Sequence, residues 1–180
     1  MRIVSGIAKG KKLCTPEGHD VRPTIDRVKE AVFSSLQFDL EGRRVLDLFA
    51  GSGQLGLESL SRGAACCDFV DGSAKSIDVI KTNVKNCGMQ DKCDVSFCDS
   101  FDFISRTNKV FDIAFLDPPY GQGLIGEIMP MLVQKMSDYG VIVCEHNDVE
   151  KLNDSYGEFE KQKVKRYGKV YVTFYRKSEV

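Results

Sequence analysis

Asp117-Pro118-Pro119-Tyr120 stands directly behind the apolar run Phe111-Asp112-Ile113-Ala114-Phe115-Leu116. A buried strand ending this way offers three groups at one spot: a carboxylate acceptor, a backbone carbonyl whose direction the proline rings restrict, and an aromatic ring on which a base can stack. Such a set can grip an exocyclic amino group on a planar ring. With Asp117 and the Pro118 carbonyl accepting both N–H bonds, a delocalised lone pair can turn out of the ring plane toward an electrophile. Asp117 also favours the positive charge that builds on the nitrogen. Tyr120 would stack on a base that is flipped out or already unpaired, a contact worth about 1–3 kcal/mol. The bland alternative is a rigid turn with Tyr120 packed in the core.

A second constellation precedes it. Gly51-Ser52-Gly53-Gln54-Leu55-Gly56 follows the apolar run Val45-Leu46-Asp47-Leu48-Phe49-Ala50 and leads into a helical pattern, and Asp71 ends the next apolar run, Cys67-Asp68-Phe69-Val70. Glycines let the backbone approach a ligand closely, and an acid about 20 residues on suits ribose hydroxyls, so the pattern binds an adenosine-bearing cofactor. By itself it does not separate NAD from S-adenosyl-L-methionine. Asp47 favours the latter, because a carboxylate there repels a pyrophosphate and suits an ammonium. The amine-gripping tetrapeptide also serves methyl transfer and has no part in hydride transfer. Asp99-Ser100-Phe101 comes after a third apolar run, where Asp99 can accept from the adenine amino group and Phe101 can cover a ring face. Helix N-capping explains Asp99 and Ser100 equally well.

The elements that must position these groups alternate. Strands are expected at Val45–Leu48, Cys67–Val70, Val95–Phe97, Ile113–Leu116 and Val141–Val143. Helices fall between them, at Leu55-Leu57-Leu60 closed by Gly63, at Ile77-Ile80-Val84-Cys87 stopped by Gly88, over Phe101–Ile104 and over Ile125–Met136. That rhythm predicts an α/β fold whose mostly parallel sheet is covered on both faces. Phe159–Tyr167 and Val170–Tyr175, joined at Gly168-Lys169, read as an antiparallel hairpin. Residues 1–24 form a basic N-terminal arm or hairpin. A helix with Val28, Ala31, Val32 and Leu36 on one face follows, and 43–177 make the core of a single domain spanning 1–180.

The chain has 180 residues, 42% of them hydrophobic, and a net charge of −1, so it is no general polyanion magnet. Positive charge is local: Lys9, Lys11, Lys12, Arg22 and Arg27, with Thr24 among them, are the candidate contacts to RNA phosphates, and Lys161 to Lys169 hold a second cluster. Seven cysteines form no C-x-x-C pair and have only His19 and His146 beside them. A metal site is not expected, and a reducing cytoplasm fits best. The apolar runs are of strand length, so no membrane span is expected.

The chain resembles the RsmD family, the bacterial 16S ribosomal RNA (guanine(966)-N(2))-methyltransferases, along essentially its whole length. Met1-Arg2-Ile3-Val4-Ser5-Gly6, Arg22-Pro23-Thr24-Ile25-Asp26-Arg27-Val28-Lys29-Glu30-Ala31, Val45 to Gly53, Leu55-Gly56-Leu57-Glu58 and Phe115 to Tyr120 carry the resemblance. It implies a Rossmann-like class I methyltransferase fold of seven strands. The implied enzyme acts on the N2 amine of a guanine in 16S rRNA of the 30S subunit; a monomer is the default expectation, since the sequence leaves the oligomeric state open. Asp47, Phe49, Ala50, Gly51, Ser52 and Gly53 would lie along the cofactor, Asp71 at its ribose, and Asp117 at the target amine. Arg22 and Thr24 would close over the methionine end or the RNA. Where the family usually carries Glu, this chain has Asp71. The rival readings are an N6-adenine methyltransferase, an NAD-dependent oxidoreductase and a non-enzymatic RNA-binding module.

Overall fold

The computed structural model describes residues 1–16 and 23–177, with the backbone alone at Pro23, Thr24 and Ile25. Arg22 lies outside the described residues. After α1 (Pro23–Ser35), strands and helices alternate: β1 (Arg44–Asp47), α2 (Gln54–Ser61), β2 (Cys66–Asp71), α3 (Ala74–Cys87), β3 (Cys93–Phe97), α4 (Ser100–Arg106), β4 (Phe111–Leu116), α5 (Leu124–Leu132) and β5 (Met136–Asn147). Three strands then follow in succession, β6 (Ser155–Tyr156), β7 (Phe159–Tyr167) and β8 (Val170–Lys177).

The strands form one sheet in the order β3-β2-β1-β4-β5-β8-β7-β6. β1 to β5 pair in parallel, while β8 runs antiparallel to β5 and to β7. All seven expected strands are present; the eighth is the two-residue β6, which pairs Ser155 and Tyr156 with Glu160 and Phe159 at the sheet's edge. The helix expected over Ile125–Met136 is shorter. It ends at Leu132, passes through a 3-10 turn at Val133–Lys135, and Met136 already belongs to β5 opposite Phe111. Pro130, inside that helix, withholds one backbone donor from its last turn.

Strand alternation divides the core in two. Val45, Ile113, Phe115, Val141, Val143, Val172 and Phe174 face α1, α2 and α3. Leu46, Leu48, Ala114, Leu116, Ile142 and Cys144 face α4 and α5. The central strands are buried on both sides, which accounts for their unbroken apolar runs.

The N-terminal arm is a small antiparallel loop closed by an Arg2–Lys12 bridge, and it is docked on α2. Ile3, Ala8 and Leu13 are buried in the core facing α1 and α2. Val4 and Ser5 donate backbone N–H bonds of 2.8 and 3.0 Å to the carboxylate of the fully buried Glu58. Ile7 N–H donates to Ser61 O at 2.8 Å. Gly6 sits at φ 85°, and a Cβ there would fall 1.7 Å from Ser61 O, so no other residue can make this approach.

Candidate active site

The carboxyl edge of the sheet gathers acids from four adjacent strands. Asp71 ends β2 and Asp47 ends β1. Phe115 of β4 is in register with Asp47, so Asp117 follows two residues further along the same side of the sheet. Leu116 is in register with Cys144 of β5, so the next residue on each strand brings Asp117 beside Glu145.

Each acid is held differently. Asp47, 2% exposed, accepts the Gly56 N–H at 2.9 Å, and burial pushes its carboxyl up to about 7 despite that bond. Asp71 accepts from Gly51 N–H and Ser73 N–H, both at 2.8 Å, and so ties the glycine loop to the strand behind it. Burial, with Glu145 and then Asp47 close by, holds the Asp117 carboxyl well above the usual range. Glu145 is raised by burial too, against the hydroxyl of Tyr120, which donates to its Oε1 at 2.7 Å. Pro118 is buried, while Pro119 and Tyr120 are exposed, so the tyrosine ring is open to a stacking partner with its far end fixed.

The loop between β1 and α2 is shaped for a ligand. Gly51 takes φ 57°, and the place of its missing Cβ is open space within 4 Å. Gly53 ends the turn and caps α2 in the left-handed region. A row of carboxylates beside an open glycine suits a ligand that carries positive charge and repels a pyrophosphate, so these residues fit S-adenosyl-L-methionine better than a dinucleotide.

A family model described as "Conserved hypothetical protein 95" matches residues 1–176. The chain belongs to that family. It is the RsmD family met in the sequence motifs: the ribosomal RNA small subunit methyltransferase D of Escherichia coli (strain K12) is 33% identical over 149 residues, which cover 81% of this chain and 74% of that one. The YlbH protein of Bacillus subtilis (strain 168) is 35% identical over 182 residues, 98% of this chain and 99% of its own length. The solved structure of yhhF from Escherichia coli superposes with a TM-score of 0.89 at 30% identity, covering 98% of this chain and 97% of that one. The fold is the Rossmann-like class I methyltransferase fold, whose cofactor is S-adenosyl-L-methionine.

Within this family member, the structure brings Asp47, Gly51, Gly53, Asp71, Asp117 and Tyr120 to one edge. Ala50 is buried with its N–H on Val70 O at 3.0 Å, and Phe49 is half-buried against the α4 and α5 side. Ser52 turns away, its Oγ 3.4 Å from Met1 Sδ. Asp99 caps α4, accepting from Phe101 N–H at 2.8 Å and Asp102 N–H at 3.2 Å, and Ser100 Oγ donates to Leu48 O at 2.9 Å. Capping thus accounts for Asp99 Oδ1, whereas the Ser100 hydroxyl ties the start of α4 to the end of β1, and Phe101 is half-buried against Phe49's side of the core.

Of the basic residues, Lys9, Lys11, Lys12 and Arg27 are exposed. The arm's tip is anchored at Ser61, the last residue of α2, where Ala8 N–H donates to Ser61 Oγ at 3.0 Å. An eight-residue helix spans about 12 Å, so Lys9 stands roughly that far from the glycine loop. Thr24 lies in the first turn of α1.

Three residues given no site role by the sequence hold the site together. Asn83, fully buried on α3, donates to Ser52 O and to Cys14 O at 2.9 Å and accepts Cys14 N–H at 2.8 Å, joining the glycine loop to the arm. Lys29, buried on α1, donates to Arg2 O at 2.5 Å and lies 3.7 Å from Glu58. Glu145 completes the acid row. A polar residue at the core-facing spacing between Ile80 and Val84 is the signal that marks Asn83. His146, by contrast, points to the opposite face, where its Nε2 meets Thr173 Oγ1 at 2.9 Å.

Among the described residues no helix is long and apolar enough to cross a membrane, and no group of three His, Cys, Asp or Glu side chains could hold a metal ion.

Proposed function

We propose that this protein is an S-adenosyl-L-methionine-dependent ribosomal RNA methyltransferase that modifies the N2 amine of a guanine in 16S rRNA. The observation that carries the reading is the register of β1 with β4. Asp47, just ahead of the glycine loop, pairs with Phe115, so the cofactor loop and the Asp117-Pro118-Pro119-Tyr120 turn leave adjacent strands on the same edge. Two clefts that open toward each other are what transfer between a cofactor and a base requires.

Asp71 would hold the ribose hydroxyls, and Asp47 with the Gly51–Gly53 backbone would hold the methionine end. When bound, S-adenosyl-L-methionine would supply an electrophilic methyl group on a sulfonium, its S–C bond breaking as the N–C bond forms and its sulfur departing as a neutral thioether. Asp117 and the Pro118 carbonyl would accept the two N–H bonds and turn the lone pair toward the methyl carbon. Asp117 then takes one proton as the nitrogen becomes cationic, leaving a neutral methylated amine. Tyr120 stacks on the flipped-out base. Arg22, Thr24, Arg27 and the arm lysines would meet RNA phosphates, and the small ribosomal subunit in the cytoplasm would be where the protein acts. It would do so as a monomer, without a metal.

The test is transfer of a labelled methyl group from S-adenosyl-L-methionine to 30S particles and to naked 16S transcripts, followed by nucleoside identification. N2-methylguanosine is the expected product. N6-methyladenosine, or no transfer to either substrate, would overturn the reading.

A further inference from the structure

Glu145 belongs to none of the motifs, yet it stands at the centre of the amine site. It is the next residue after Cys144, which pairs with Leu116, so its carboxylate adjoins Asp117 across the β4–β5 edge. Oε1 is fixed by the Tyr120 hydroxyl at 2.7 Å, which leaves Oε2 to accept from a ligand. Glu145 also lines a cleft between α1 and the sheet with Val28, Gln54, Leu116 and Val172. In that cleft Gln54 Oε1 is buried and has no hydrogen-bond partner among the described residues. Lys29, which lines the cleft as well, has its ammonium committed to Arg2 O and Glu58.

The groups nearest Asp117 that are left for a ligand are acceptors, Asp117 itself, Glu145 Oε2 and the Pro118 carbonyl, while the Gln54 amide beside them offers an unpartnered acceptor, Oε1, as well as N–H donors. Acceptors call for a ligand with several donors side by side. Guanine carries N1–H next to its N2 amine, three N–H bonds along one edge. Adenine carries its N6 amine next to a bare N1, whose lone pair would face a carboxylate.

We propose that Glu145 is a base-reading residue, its Oε2 accepting guanine N1–H while Asp117 and the Pro118 carbonyl hold the N2 amine. The pair admits guanine and turns away purines with an unprotonated N1. This rests on the methylation reading above and adds the source of its base choice. Tyr120 has two tasks in it: the ring stacks on the base, and the hydroxyl aims the carboxylate that reads the edge.

The test uses an RNA fragment bearing the guanine found in the transfer assay, and the same fragment with 2-aminopurine there. 2-Aminopurine keeps the N2 amine and presents a bare N1. Binding of both fragments is measured in the presence of S-adenosylhomocysteine, so that a variant without turnover still reports. The native protein should prefer guanine. In Glu145→Gln an amide N–H can donate to the bare N1, and the preference should shrink about 10- to 100-fold. Loss of O6 in 2-aminopurine weighs on both proteins alike and drops out of the ratio of ratios. An unchanged ratio with guanine methylation intact overturns this proposal alone; an adenine product from the native protein overturns it together with the methylation reading. Should Glu145→Gln fail to bind S-adenosylhomocysteine, Tyr120→Phe serves instead. It loosens the carboxylate without removing it and should narrow the preference too, and an unchanged preference there is equally fatal.

Discussion

Asp47 and Asp117 show how burial turns a carboxylate into a sensor of what is bound beside it. Burial pushes the Asp47 carboxyl up to about 7 in the folded chain from an ordinary 3.8. Between those values the folded state keeps a proton that the unfolded state has released. Stability from this group is therefore intact at low pH and falls as pH rises through about 4 to 7, by on the order of 4 kcal/mol at full ionisation. Asp117 and Glu145, also raised, act with the same sign. In urea titrations Asp47→Asn should gain on the native protein as pH climbs from about 4.5 to 7.5; a gap that does not vary with pH counts against a buried, protonated Asp47. A cation bound alongside reverses the preference, so S-adenosyl-L-methionine should bind with release of a proton and more tightly as pH approaches 7. Calorimetry in buffers of different ionisation enthalpy reads that proton. At Asp117 the expected loss is in turnover: Asp117→Ala should cost about 2.7–4 kcal/mol in the barrier, roughly 10²- to 10³-fold, with RNA binding kept. Equal losses in both would make Asp117 a binding residue only. Asp47, Asp71 and Asp117 were legible in the sequence because each lies within or just behind a local motif. Glu145 was not, since its place beside Asp117 depends on β4 pairing with β5, 28 positions apart in the chain. Strand alternation also sends its neighbour His146 to the opposite face.

At the scale of elements, the arm behaves as part of the scaffold. Its sequence is basic and glycine-rich, which suggests a solvated strap; its apolar residues Ile3, Ala8 and Leu13 tell the other half, because all three are buried against the same core as α1 and α2. What local pattern could not reveal is the partner. Glu58 is an acid within a short helix, and only the folded chain shows it buried, accepting from Val4, Ser5 and Arg62 and facing Lys29. The alternation of strands and helices was legible for a related reason: central strands buried on both faces announce themselves as apolar runs, and glycine stops such as Gly88, φ 69°, end the helices between them. The end of α5 was not, because Met136 continues the apolar spacing while its backbone already pairs with Phe111. Gly6→Ala tests the docking. The new methyl group would meet Ser61 O in a left-handed conformation, which combines a steric cost of about 1–3 kcal/mol with a backbone cost of about 1–2 kcal/mol. The expected result is a lower melting temperature and early proteolysis confined to the first 16 residues, with Asn83 and Ser52 losing their link to Cys14. Melting and cleavage unchanged from the native protein would mean that the arm can dock some other way.

For the whole molecule, a net charge of −1 and an acidic carboxyl edge pose a problem for a protein that binds RNA. On the proposed reading the edge would attract a cationic cofactor and disfavour phosphates, so the backbone of the nucleic acid would be held elsewhere while one base reaches in. The described structure offers such a division. Tyr120 and the open glycine loop lie at the carboxyl edge, whereas Lys9, next to the contact of Ala8 with Ser61, lies about a helix length away, near the end of α2. Phosphates held at that distance leave room for a base turned out of its stack, and the interaction is of the kind that counterions screen. Replacing Lys9, Lys11 and Lys12 by Gln should therefore weaken RNA binding and reduce the slope of log affinity against log salt by about 2 to 3, at roughly 0.7–0.9 per phosphate contact. Affinity for S-adenosyl-L-methionine should stay the same, because on the proposed reading the cofactor would meet the acid row and none of these lysines. Methyl transfer at saturating RNA should hold as well, so that the loss falls on KM. A salt slope equal to the native one would remove the arm from the RNA interface. A loss of cofactor binding would instead show that the lysines act through the docked arm on Met1, Cys14 and the glycine loop, the contacts that Ser52 and Asn83 make.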